Sequence, residues 1–142
     1  KKDTILLSKD GSIGIAYKVE NDLNSITSGA LLHLDVIDKT EVLPDYLTLV
    51  LNSLVVQFQA ERDASGAIIQ HWKPSEIQNV VIPVLSKSVQ NQISENILRS
   101  FALRHQSERL LEYAKQAVEI AIEQGEEEAI KWLEEIDSVT II

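Results

Sequence analysis

Apolar positions along the chain follow two rhythms that meet near Pro83. Ahead of it, short β-like runs alternate with turns. TILLS (4–8) is a brief apolar run, followed by KDGS (9–12) and a second β-prone run over 13–19. Asp-Gly between two such runs predicts a hairpin, because glycine takes positive φ at little cost. In SGALLHLDV (28–36), Leu32, Leu34 and Val36 alternate with His33 and Asp35, which predicts a half-buried strand. PDYLTLVLNSLVVQFQAER (44–62) reads as one helix-like segment opened by Pro44. Its Leu47, Val50, Leu51, Leu54, Val55 and Phe58 fall at helical steps on a core-facing side. DASGAIIQ (63–70) reads as a glycine loop running into a short strand. KPSE (73–76) reads as a turn, with Ser75 capping a single helical turn. VVIPVL (80–85) reads as an edge strand because of Pro83.

Beyond Pro83 the rhythm turns helical. Residues 89–124 contain neither proline nor glycine, enough for a helix of roughly 54 Å. Leu103, Leu110 and Ala117 are seven apart, with Ala114 and Ala121 between them at the alternate spacing. The pattern predicts a seam for a partner helix. Gly125 interrupts, and 126–136 form a second short amphipathic helix. The fold class expected is α+β: a mixed α/β module over residues 1–86, then a long coiled-coil-type helix with a short helical cap over 87–142.

Composition narrows the chemistry. A chain of 142 residues with 44% hydrophobic and 25% charged positions suits one domain or a domain with an extension. The absence of cysteine removes disulfides and thiolate sites, and leans towards the cytosol. No methionine is present either, so a processed or excised chain is expected. No apolar run is long enough for a membrane helix. His33, His71 and His105 are scattered without metal-ligand spacing, and no phosphate-loop glycine motif occurs. The expectation is therefore a non-enzyme, with no catalytic residue, metal or cofactor of its own.

The net charge of −9 argues against indiscriminate nucleic-acid binding, but it is uneven. Residues 1–75 carry 7 basic and 10 acidic side chains; 76–142 carry 6 and 12. Two loops of the less acidic half hold residue types that contact DNA: Lys9 and Ser12 in the first, Ser65, Gln70, His71 and Lys73 in the second. Lysine holds phosphates or guanine edges, glutamine reads adenine, and serine serves either role. An ordinary polar loop with Trp72 as core fits the same residues.

Taken in order, ILLSKDGSIG (5–14), SGALLHL (28–34), LPDYLTLVLNS (43–53), ERDASGAIIQHWKPSEIQNVVIPVL (61–85), VQNQISENI (89–97) and SERLLEYAKQAVEIAIEQGEEEAIKWL (107–133) resemble the DNA specificity subunit of Type I restriction-modification systems. That resemblance implies a target recognition domain followed by a long spacer helix. It implies double-stranded DNA, a methyltransferase (modification) subunit and, in the full complex, a restriction subunit as partners. The other subunits would supply S-adenosylmethionine, ATP and catalysis. Family members carry two recognition domains and two helices. This chain carries one of each, so a half-subunit or fragment that pairs through its helix is expected. The rival expectation is an assembly scaffold without DNA specificity.

Overall fold

The computed structural model describes the backbone of residues 1–140 and the side chains of 1–136. The chain divides into two compact units, Lys1–Ile97 and Leu98–Ile142.

The first unit is built on a three-stranded antiparallel sheet in the order β2-β1-β3, with β1 at Ile5–Ser8, β2 at Ala16–Lys18 and β3 at Leu31–Leu34. Ile5 pairs with Lys18 on one side and Leu34 on the other; Leu7 pairs with Ala16 and Leu32. Ile5 and Leu7 are fully buried, as the period-two geometry of a central strand requires. The Asp-Gly hairpin is present: Gly11 and Gly14 take φ of +80° and +77° in the β1–β2 connection.

The expected single helix after Pro44 is two: α1 (Pro44–Leu51) and α2 (Leu54–Asp63). The break falls at Asn52 and Ser53. The Asn52 side-chain amide accepts from the Ala16 N–H at 3.0 Å and donates to its carbonyl at 2.8 Å, so it pairs with β2 as a strand residue would. The break turns Leu54, Val55 and Phe58 to solvent and brings Val56 and Ala60 into the core instead. Tyr46, Val50, Leu51 and Trp72 complete that core around Ile5 and Leu7.

Helix α3 (Pro74–Ile77) is one turn. Its start is closed by Glu76, which accepts from the Lys73 N–H at 2.9 Å, and not by Ser75. No strand forms at 80–85 or 68–70. The first segment is instead strapped down by side chains. Gln59 accepts from the Val81 N–H at 2.9 Å and donates to its carbonyl at 3.0 Å, and the Tyr46 hydroxyl donates to the Pro83 carbonyl at 2.7 Å. Pro83 has no N–H to contribute to a ladder.

Helix α4 (Lys87–Gln124) starts in the first unit. Gln90 is fully buried there. It accepts from the Leu43 N–H and donates to the carbonyls of Glu41 and Leu85, at 2.8–2.9 Å. In the second unit, Gly125 at φ +101° ends α4, and α5 (Glu126–Thr140) follows. The Tyr113 and Trp132 rings meet edge-on with centroids 6.1 Å apart. A straight continuation would separate these residues by roughly 28 Å, so α5 folds back along α4. Ala117 and Ala129, each within a turn of one of those rings, are buried. Small residues there permit close helix approach. The expected α+β class with a long C-terminal helix is what the chain adopts.

Candidate nucleic-acid interface

The two polar loops singled out by composition are one structure. The connection after β1 and the stretch from Ser65 to Trp72 are joined by backbone hydrogen bonds: Gly11 N–H to the Gln70 carbonyl at 2.9 Å, and Trp72 N–H to the Lys9 carbonyl at 2.8 Å. Within the second loop, Ser65 and His71 exchange both backbone hydrogen bonds, at 3.0 and 2.7 Å. Trp72 roots the assembly in the core at 1% exposure, as a core tryptophan should.

Lys9, Ser65, Gln70 and His71 all belong to this junction; Ser65, Gln70 and His71 are exposed and Lys9 is half-buried. Lys73 follows directly at the start of α3, exposed, with its ammonium 3.5 Å from Glu76. Ser12 lies further along the first connection, exposed; its carbonyl accepts from the Ser8 hydroxyl, which also accepts from the Ile15 N–H at 2.9 Å.

Composition did not single out Asp10. Its carboxylate accepts from Lys9 Nζ at 2.6 Å and contacts His71 Nδ1 at 2.8 Å. The Lys9 hydrogen bond, then that of His71, holds the Asp10 carboxyl below its ordinary value. Nearby, Arg62 makes a two-pronged contact with Asp63 at 2.6 and 2.9 Å. Each of Lys9, Arg62 and Lys73 thus faces a carboxylate of its own neighbourhood. The arrangement offers hydrogen-bond donors and acceptors on a rigid mount, with the cationic charge locally balanced.

The other candidates are elsewhere. On the helix, Leu103, Leu110 and Ala114 are exposed, Ala121 is half-buried and Ala117 is buried. His33 meets Thr27 at 2.8 Å, and His105 faces Glu108. Among the described residues, no group of histidine and carboxylate side chains could hold a metal ion, and no helix is long and apolar enough to cross a membrane. An apolar cleft beside β3, lined by Leu32, Leu34, Leu47, Leu51, Ile77 and Val80 among others, offers little polar chemistry.

No protein-family model matches the chain, and no curated protein matches it. The chain is similar in fold to the crystal structure of the Type I restriction-modification system S subunit from M. genitalium, with a TM-score of 0.63 and 23% identity. The match covers 86% of this chain and 31% of that one, so the likeness is one of fold over about a third of the longer protein.

Proposed function

We propose that this chain is a DNA-recognition unit of a Type I specificity subunit, or a half-subunit, acting in the cytoplasm without catalysis of its own. Residues 1–86 form the recognition module and 87–142 the spacer helix with its cap. Lys9, Ser12, Ser65, Gln70, His71 and Lys73 contact one part of a split duplex target. The exposed apolar stripe of the helix, including Leu103, Leu110 and Ala114, serves a second copy and the methyltransferase subunit; the restriction subunit joins the full complex. The observation that supports this reading is the joining of the two polar loops by backbone hydrogen bonds, in a chain whose fold is similar to about a third of a Type I S subunit.

The test is selection of bound duplexes from a random-sequence pool at ~50 mM salt, where phosphate contacts are strongest. Enrichment of a short motif supports the reading, and a motif repeated at fixed spacing adds pairing through the helix. The second reading is an assembly module without DNA specificity. It is favoured by the net charge of −9 and by the carboxylate facing each of Lys9, Arg62 and Lys73. Absence of duplex binding, with binding of a methyltransferase subunit retained, selects it.

A further inference from the structure

Five residues, 66–70, stand beyond the Ser65–His71 pair, and the loop they form is unusual in what it exposes. Ile68 is 98% exposed and Ile69 is 57% exposed. Both lie in the loop that the Ser65–His71 pair closes. Exposed isoleucine on a loose loop would be unremarked, but the base of this loop is tied down and its backbone closes on itself. Gly66 takes φ +116°, and a Cβ there would lie 2.0 Å from the Ile69 carbonyl oxygen. The loop therefore closes on its own backbone, in a conformation that requires glycine. Its base is held by both Ser65–His71 hydrogen bonds, by the Gly11–Gln70 bond, and by buried Trp72.

A branched apolar group carried at the tip of a backbone closed in this way gains roughly 25 cal/mol for each Å² of apolar surface it buries on insertion. Its direct neighbours Ala67 and Ile69 are apolar, and hydrogen-bonding groups stand at the base of the loop: Ser65 ahead of it, Gln70 and His71 after it, and Lys9, whose carbonyl accepts from the Trp72 N–H. Polar groups there suit base edges and phosphates, and an apolar tip suits the space between two stacked base pairs. A protein surface would also accept an apolar tip. The base-reading residue types at the foot of this loop favour a duplex.

We propose that Ile68, supported by Ile69, is a wedge that enters a base step of the bound duplex and unstacks it. This inference rests on the DNA-recognition reading above. Insertion is easiest at flexible pyrimidine–purine steps, so the wedge contributes to target choice through deformability, without a hydrogen bond to any base.

The test uses the full chain and the duplex obtained by selection, with an adenine analogue that fluoresces on unstacking placed at successive steps. Wild type is expected to raise the fluorescence at one step. Ile68→Ser should abolish that signal and weaken binding by about tenfold, while the dependence of affinity on salt keeps its slope. Ile68→Leu should retain both signal and affinity. Thermal melts of the variants check folding, which a fully exposed position should leave unchanged. Equal affinity and an equal signal in Ile68→Ser would remove the wedge and leave DNA recognition intact. Loss of methyltransferase-subunit binding in Ile68→Ser, with duplex binding unaltered, would overturn the wedge in favour of a protein contact. Failure of wild type to bind any duplex would overturn the DNA reading itself, and the wedge with it.

Discussion

Asp10 places a carboxylate inside the loop cluster proposed to contact DNA. It binds the Lys9 ammonium and the His71 ring together, and these contacts keep its carboxyl ionised to below the ordinary 3.8. At neutral pH the Lys9 charge is therefore cancelled one residue away. Asp10→Asn should release it. The expected outcome is a several-fold gain in affinity for all duplexes at ~50 mM salt, with a salt slope steeper by about 1, read by fluorescence anisotropy. Weaker binding confined to targets with cytosine at one position would instead make Asp10 a base reader, since carboxylates accept from cytosine N4. Lys73→Ala should weaken binding by a similar factor on all sequences and lower the slope by about 1. An unchanged slope would take Lys73 off the phosphate contacts. The sequence made Lys9, Ser65, Gln70 and His71 legible as loop residues of suitable chemistry. It concealed Asp10 and Ile68. The contact of Asp10 with His71 spans 61 positions, and the exposure of Ile68 follows from a backbone closure that hydropathy alone reads as a strand.

Four side-chain amides join elements of the first unit; one of them, Gln57, donates to the Gly14 carbonyl at 2.6 Å. Asn52 grips Ala16, Gln59 grips Val81, and Gln90 grips Leu43, Glu41 and Leu85. Each satisfies backbone groups that no ladder or helix reaches, which is how a small sheet carries so much irregular chain. Gln90 matters most, because it is fully buried. Gln90→Leu fits the volume but leaves the Leu43 N–H and two carbonyls without their partner, so it should cost ~2–4 kcal/mol. Urea denaturation checks this; a loss below ~1 kcal/mol would mean water enters and replaces the amide. Element-scale legibility follows the same line. The hairpin, β3 and the long helix were readable, because glycine, alternation and an unbroken helical rhythm are local signals. The α1–α2 break was not, because nothing local marks Asn52 as a residue that bonds to a strand 36 positions earlier. The apolar run at 80–85 resembles a strand for the same reason, since periodicity does not reveal that Gln59 and Tyr46 occupy its backbone groups.

At the scale of the molecule, the second unit carries apolar surface that its own fold does not use. Tyr113, Ala117, Ala129 and Trp132 are spent on the α4–α5 contact. Leu111 and Val118, both 59% exposed, lie seven residues apart on another side of α4, and exposed Ile122 extends that stripe. This is surface of the kind that partner helices cover. Ala117→Arg is a poor probe of it, because a buried arginine would disrupt the α4–α5 contact before reporting on any partner. Leu111→Lys with Val118→Lys tests the stripe and leaves that contact untouched. If a second copy covers it, sedimentation equilibrium should show wild type approaching twice the monomer mass as concentration rises, and the double variant staying at the monomer mass. Both should retain the same helical circular dichroism, because both positions are largely exposed. A wild type that stays monomeric, yet loses methyltransferase-subunit binding in the double variant, would assign the stripe to that partner. A monomeric chain presents one recognition module, so a repeated motif in the duplex selection would not be expected. An unchanged mass and unchanged subunit binding in the double variant would remove the stripe from the interfaces and leave recognition to the loop cluster alone.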